Sequence, residues 1–493
     1  MPKVEHLVPP HGSLQVAVPF LDRLGKPFNG TVTVTLKDPL PPSPTQSNTA
    51  PPKAEINGAD ILLDRPVHLR VGTRVSVYSP TGCLLVVDGP PQVVENVFCD
   101  MLGTAYNKTI LELHYWLEKR RVDARANEVF GPRVLVCGLQ PDSGKSTLVT
   151  TLANLAVRFG YHPTVVNLDP DKPSLGYPMC LDAYSLQCPI DPEADIHSTP
   201  GHHVHFGSRS LSGDAGLYRS CLKEIASDVN AKLQEKRVVL GGVVVDFPTV
   251  NMDRVLDIER EVGQFEQQSD KQAALQTSPI EILKHTILTL DIDVVVVVGS
   301  SWIKDKLFAT MNFQPEHSSG SESIIVAENG AEITVIGLEA APHATARAEW
   351  ERELVRRDIW ERYFFGTVNV PVSPIKIQTD NRNIRVLKLN MISKADMQTM
   401  YSIDSGDREE INQEDMSRSL SILGQVVALS SSYFCDNDGH EVSDTKFKYQ
   451  IERCHTIGFA VVLSVDSGND TIELLCPTDL PQRKGCCFYV SNV

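Results

Sequence analysis

Apolar and polar positions alternate in short runs through the first hundred residues, at Leu14–Val18, Thr31–Leu36, His68–Val71, Arg74–Tyr78 and Cys83–Val87. Gly, Pro and Asp turns separate these runs, and the pattern predicts a β domain. Between them, Asp38–Pro52 (DPLPPSPTQSNTAPP) is too rich in Pro and Ser to pack and reads as a disordered surface loop over 38–52. At 105–125 the period changes. Leu111, Leu113, Trp116 and Leu117 sit among Glu, Lys and Arg, which predicts a helix joining the first domain to the next.

From 133 to 365 β-type runs alternate with helical patterns. Arg133–Cys137 reads as a strand, Ser146–Phe159 as a helix and Thr164–Leu168 as the next strand. Val238–Val245 and Ile292–Val298 are continuous β-branched runs, the mark of strands buried on both faces in a parallel sheet covered by helices. His343–Phe365 predicts a charged helix. Beyond 366 the chain turns β-rich again, at Ile375–Ile377, Arg385–Leu389, Gly424–Leu429, Gly458–Ser464 and Cys486–Val490, with a polar stretch at Ile403–Asp415. The expected architecture is α/β: a central parallel sheet (105–366) flanked by an N-terminal β-sandwich (1–104) and a small C-terminal β-rich domain (367–493).

Composition narrows the class. With 493 residues, 42% hydrophobic and 22% charged, the chain has the balance of an ordinary globular protein of several domains. A net charge of −16 argues against a protein that coats nucleic acid or an anionic membrane over its whole surface. The eleven cysteines show no CxxC pair, which is the usage expected of reduced thiols inside a cell. No secretory leader is evident, and the longest apolar run, Val294–Val298, is far too short to span a bilayer.

The chemistry begins where Arg133–Cys137 runs into Gly138-Leu139-Gln140-Pro141-Asp142-Ser143-Gly144-Lys145-Ser146-Thr147 and a helix follows. Phosphates need several backbone N–H groups aimed at one point, glycines to let the backbone approach, and a helix N-terminus behind them. Lys145 is placed to reach the β- and γ-phosphates and the Ser146 hydroxyl to ligate Mg²⁺. The eight-residue phosphate-loop pattern wants glycine six places before Lys145, where Leu139 stands. Gly138 lies one residue too early, so either the loop is one residue longer or it turns without that glycine.

Two acids end strands nearby. Asp169 is a candidate proton acceptor or Mg²⁺ group, or else a turn aspartate before Pro170; Asp246 is the candidate second Mg²⁺ residue, or else a strand-end cap. Arg347, Arg352, Arg356, Arg357 and Arg362 alternate with acids. They make either a solvated, salt-bridged helix or a lid whose arginines, Arg352 and Arg356 foremost, face developing phosphate charge.

In their order these motifs resemble the P-loop polynucleotide 5′-hydroxyl kinases typified by the Clp-one subunit of the pre-mRNA cleavage and polyadenylation factor. Ala54-Glu-Ile-Asn-Gly-Ala-Asp-Ile61 resembles the family's A-E-I-F-G-T-E-L. Glu361-Arg-Tyr-Phe-Phe-Gly366 is similar to its R-E-Y-F-Y-G, and His455–Val462 to its V-V-G-F-I-V-V strand. The resemblance implies bound ATP with Mg²⁺ and a nuclear location. It also implies partners among the other subunits of the cleavage and polyadenylation complex, with RNA reached indirectly and no membrane. It places the family's N-terminal lysine on Arg74.

The departures from the family bear on catalysis. Active relatives carry L-D-x-x-Q, where this chain has Leu168-Asp-Pro-Asp-Lys172; their T-x-G-W clasp is replaced by Asp246-Phe247-Pro248-Thr249. Loss of the stacking tryptophan forfeits roughly 1–3 kcal/mol of base binding. The leading expectation is an ATP-binding subunit, structural rather than catalytic. The rival is an active polynucleotide 5′-hydroxyl kinase with Asp169 as base and another aromatic, such as Phe247, on the terminal base. A P-loop GTPase is the third reading, disfavoured because Ile292–Val298 ends in Gly299-Ser300-Ser301 with no Asn-Lys-x-Asp.

Overall fold

A computed structural model describes residues 2–38, 52–100, 103–171, 175–193, 196, 199–211, 215–233, 236–265, 267–310, 322–326, 332–367, 370–380, 384–388, 423–433, 455–466, 471–477 and 486–490. Most of the Pro-rich segment expected at 38–52, the whole of Ile403–Asp415 and Lys172 lie outside the described residues.

The N-terminal alternation folds into two antiparallel sheets. One orders Lys3–Val8, Cys83–Asp88, Val32–Lys37 and Pro66–Leu69; the other orders Ala59–Asp60, Glu55–Ile56, Arg74–Tyr78, Ser13–Ala17 and Phe98–Asp100. Every second residue of Val32–Lys37 and of Cys83–Asp88 is buried, so period-2 patterning fills one core between the sheets. Glu55–Ile56 turns back on Ala59–Asp60 through Asn57 (φ 49°) and Gly58 (φ 77°), the positive pair that a tight hairpin turn needs.

The central sheet has a parallel core in the order Glu332–Leu338, Val294–Val298, Arg133–Gly138, Val243–Asp246, Thr164–Asn167. Its first strand in sequence, Arg133–Gly138, lies between neighbours reached in opposite directions, and the crevice at its carboxyl end is where such sheets bind ligands. Leu135 and Cys137 face one apolar layer, and Val134 and Val136 face the other, where Leu148, Leu152 and the long helix Gly103–Asn127 pack. That double burial explains the unbroken β-branched runs.

Antiparallel strands extend this core on both flanks. Glu322–Val326 pairs with Glu332–Leu338. On the other side Cys180–Ser185 and Gly201–His205 follow Thr164–Asn167, and His203 and Val204 pair with Thr456 and His455 of the C-terminal strand His455–Asp466. The C-terminal strands Val426–Tyr433, Thr471–Cys476, Ile375–Asp380, Cys486–Val490 and Ile384–Lys388 continue from there.

Two expected elements differ. Val238–Val245 is not one strand: Lys236–Gly241 is helical and only Val243–Asp246 is extended. Gly242 separates them at φ 72°, where an added Cβ would lie 2.0 Å from the Pro132 carbonyl oxygen. The charged helix begins at Glu349 rather than His343, with Ala348 at its N-cap and the Ala348 amide donating to Glu351. Arg347 thus belongs to the segment leading in, not to the helix. Among the described residues no helix is long and apolar enough to cross a membrane.

Candidate nucleotide site

The Gly138–Thr147 segment joins the central strand to the helix Lys145–Arg158. At Gly138 an added Cβ would sit 2.7 Å from the Val298 carbonyl oxygen, so the strand end admits only glycine without a shift. Gly144 caps the helix at φ 95° and lies against Ala341, whose Cβ would be 2.8 Å from a Cβ added there. Asp142 lies within the loop in a left-handed conformation (φ 57°). Leu139, which stands where the eight-residue pattern wants glycine, packs on the core.

Lys145 is buried at the first turn of the helix. Its Nζ donates to Thr249 Oγ1 at 3.1 Å and to the Gln140 carbonyl at 3.4 Å. The ammonium is thus held across the loop, beside the helix N-terminus whose unpaired amides favour an anion. Cys137, fully buried behind the loop, has its thiol pushed up to about 12 by burial, against the opposing pull of Lys145.

Above this floor lies a cavity of about 750 Å³, walled by the sandwich, the loop and the 341–362 segment. Asp142, Ser143, Gly144, Lys145, Ser146, Thr147, Arg74, Asp169 and Arg352 line it. Gly138, Leu139, Gln140, Pro141, Asp246 and Arg356 stand outside its lining. The volume lies in the range of small-molecule sites. Three polar atoms of wall residues, Ser143 Oγ, Asn107 Nδ2 and Arg347 Nε, are buried with no hydrogen-bond partner among the described residues. A cationic floor with unsatisfied polar atoms above it fits a polyphosphate nucleotide. Tyr106 also lines the cavity, and burial pushes its phenol up to about 12, so it faces the site as a neutral hydroxyl.

The acids sit at parallel strand ends. Asp246 is in register with Val136 and with Asn167 and is almost wholly buried. Asp169 is held by its neighbours: its amide donates to Asn167 Oδ1 at 3.2 Å, and its Oδ1 accepts from the Asp171 amide at 3.2 Å. Asn167 Nδ2 donates to Asp182 Oδ2 at 3.2 Å, and Asp182 Oδ1 meets His203 Nδ1 at 2.7 Å. Phe247, named above as a substitute stacking ring, is fully buried in the core with its amide donating to the Val136 carbonyl, and presents no face to a base.

The arginines do not stand free over the cavity. Arg352 donates through Nη2 to Asp142 Oδ2 at 2.9 Å and through Nε to the Arg347 carbonyl at 3.3 Å, and its Nη1 lies 3.9 Å from Asp171 Oδ2. Arg356 pairs with Asp171, Glu349 and Glu353 at 3.0, 2.6 and 2.8 Å. Burial works against its charge, and the Glu353, Glu349 and Asp171 carboxylates more than offset that, leaving its pKa above the ordinary value. Arg74 donates to Thr345 and, at 3.2 Å, to Glu351. Arg347 donates its amide to Asp142 Oδ2 at 2.9 Å and its Nη2 to the Gly72 carbonyl at 3.1 Å.

Sequence reasoning missed the wall built by the Ala54–Ile61 hairpin. An added Cβ on Gly58 would lie 3.0 Å from the Thr151 carbonyl oxygen, and Arg158, at the end of the phosphate-loop helix, pairs with Glu55 and Asp60. Burial raises the Glu55 carboxyl pKa, opposed by the hydrogen bond and charge of Arg158. The Asn-Gly pair signalled the turn; nothing local signalled where the turn would dock.

Sheet order, loop and cavity together define an α/β protein of the P-loop nucleotide-binding class. Residues 28–124 match the N-terminal beta-sandwich domain of polyadenylation factor, and residues 140–263 match the mRNA cleavage and polyadenylation factor CLP1 P-loop. Both matches are to domains of the Clp-one family, the family that the motifs resemble. The mRNA cleavage and polyadenylation factor clp1 of Botryotinia fuckeliana is 23% identical over 438 residues, covering 86% of this chain and 83% of that protein. The polyribonucleotide 5′-hydroxyl-kinase Clp1 of Danio rerio is 23% identical over 429 residues, 87% of this chain and 84% of its own. The match to the Coccidioides immitis factor, at 26% identity, spans 64% of this chain and 56% of that one. A solved wild-type Clp1p–Pcf11p complex has the same fold, with a TM-score of 0.71 at 17% identity over 100% of this chain and 99% of that one. A second solved structure, of the extended interface between Pcf11p and Clp1p and of ATP loss in a point mutant, also gives 0.71, at 18% identity over 99% of each chain.

Proposed function

We propose that this chain is an ATP-binding subunit of the nuclear pre-mRNA 3′-end cleavage and polyadenylation machinery that holds its nucleotide rather than transferring phosphate to RNA. One observation carries the structural half of this reading. Each guanidinium nitrogen of Arg352 faces a protein oxygen, and Arg356 is ringed by three carboxylates, so neither lid arginine is poised to meet developing phosphate charge. The buried Phe247 and the missing clasp tryptophan support it from the substrate side.

In this reading Lys145 and the Gln140–Thr147 backbone hold the phosphates, with Gly138, Leu139 and Pro141 shaping the loop and Arg74 closing the sandwich wall. Ser146 and Asp246 are the groups proposed to hold Mg²⁺, which would neutralise phosphate charge when bound. The division at 104/105 and 366/367 belongs to the same proposal. It is supported by both sandwich sheets lying within 3–100 and by the charged helix ending at Phe365. The direct partner is proposed to be another subunit of the machinery, as Pcf11p is for Clp1p in the solved complexes.

The second reading, a polynucleotide 5′-hydroxyl kinase, is favoured by one feature: Asp169 lines the same cavity as Lys145, where a substrate hydroxyl would give up its proton. The deciding experiment is acid release and identification of nucleotide from the purified chain, run beside transfer of γ-phosphate to 5′-hydroxyl RNA. Stoichiometric ATP with no transfer is the expected result; transfer abolished by Lys145→Ala would overturn it in favour of the kinase.

A further inference from the structure

We propose that Asp142 sets how many phosphates the site reads, so that the chain holds a nucleoside diphosphate about as well as a triphosphate. This rests on the nucleotide-binding reading above and deepens it. Asp142 carries into the loop a carboxylate whose Oδ2 accepts from Arg352 Nη2 and from the Arg347 amide, both at 2.9 Å. Both side chains of the Asp142–Arg352 pair are mostly buried, at 16% exposure each, which strengthens the pair against screening by salt. Arg352 Nε donates to the Arg347 carbonyl, and Nη1 lies 3.9 Å from Asp171 Oδ2, an ion pair beyond hydrogen-bond reach. The segment is tied to the loop a second time by the Ala341 amide, which donates to the Ser143 carbonyl at 3.1 Å.

A lid arginine normally discriminates a triphosphate because the terminal phosphate is the anion that completes its hydrogen bonds. Here an anion built into the loop already does so. Asp142 stands in for the terminal phosphate, and the lid is closed on the loop by the protein's own charge. A third phosphate arriving beside it meets that built-in negative charge and must compete with it for Arg352. The floor contacts through Lys145 and the loop amides, which a diphosphate can also make, then carry the affinity.

The test uses the full chain stripped of nucleotide and titrated with fluorescently labelled ADP and ATP, each with Mg²⁺. The unsubstituted chain is expected to bind the two within about threefold of each other. Asp142→Asn keeps the size and an acceptor oxygen but removes the charge. It is expected to shift the ratio toward ATP by about tenfold, the low end for one charge-assisted hydrogen bond. Adding Arg352→Gln to Asp142→Asn is expected to cancel that gain. A strong ATP preference in the unsubstituted chain, or a ratio unmoved by Asp142→Asn, overturns the proposal. Lys145→Ala serves as the separate control: nucleotide binding that survives it undamaged overturns the nucleotide-site reading itself.

Discussion

Asn154, in the middle of the phosphate-loop helix, donates through Nδ2 to the carbonyl of Asn57 at the tip of the sandwich hairpin, at 2.8 Å. Its Oδ1 accepts from the Ile190 amide at 2.7 Å. One fully buried amide thus ties the sandwich, the helix and the segment after Cys180–Ser185 together. Asn154→Ala leaves a part-buried carbonyl and a buried N–H without their partner, which costs roughly 2–6 kcal/mol taking each at the usual penalty, with the part-buried carbonyl drawing it toward the low end. Chemical unfolding of the variant should show a lower midpoint. An unchanged midpoint would mean that the hairpin does not hold the helix.

Lys145→Ala removes the ammonium from the floor of the cavity. Charge-assisted contacts of this kind are worth about 1.5–3 kcal/mol, so nucleotide affinity should fall by about 10- to 100-fold with little change in stability. Thr249→Val removes the better of the two acceptors that hold Lys145 in place. Its effect should be smaller, about fivefold, as for the loss of one ordinary hydrogen bond. Calorimetric titration of both variants checks the order; a larger effect from Thr249→Val would reverse the assigned roles.

Gly144→Ala forces a side chain into φ 95° and against Ala341. The backbone strain is about 1–2 kcal/mol. Because the same glycine starts the helix and abuts the 341 segment, the variant should lose both thermal stability and bound nucleotide. Retention of both, measured by thermal unfolding and by nucleotide content, would show that the loop relaxes freely.

Acid should destabilise the fold through two histidines. Burial lowers His114 and His205 to about 4 from 6.5; for His114 the charges of Arg121 and Arg158 add to the effect. The unfolded chain takes up protons at these sites below 6.5 while the folded chain does not, so their contribution is whole above 6.5 and is lost as pH falls toward 4. At pH 5 the loss is about 2 kcal/mol per histidine. Unfolding midpoints compared at pH 7 and pH 5 should fall, and His114→Phe should flatten the slope; an unaltered slope would refute the assignment.

The parts of this structure that sequence reveals are those whose cause is local. The strand, Gly-Lys-Ser turn and amphipathic helix at 133–158 follow from spacing alone, and so do the alternating strands of the sandwich. Val238–Val245 misleads because β-branched residues and two glycines leave strand and short helix equally open, and the Pro132 backbone decides between them. Cys180–Ser185 and Gly201–His205 escape notice because their polar residues, Asp182 and His203, satisfy each other across the ladder. The pairing of Arg352 is likewise invisible in sequence, since its partner Asp142 lies 210 positions away.

The pairing of His203 and Val204 with Thr456 and His455 has a practical meaning for anyone cutting this chain. A fragment ending near Gly366 would keep the phosphate loop and the sandwich but bare the ladder groups of Gly201–His205, a ready template for another chain. Such a fragment should come out of expression as aggregate, while the intact chain stays in solution. The C-terminal quarter of the chain, through His455–Asp466, is what keeps the central sheet from growing at this edge.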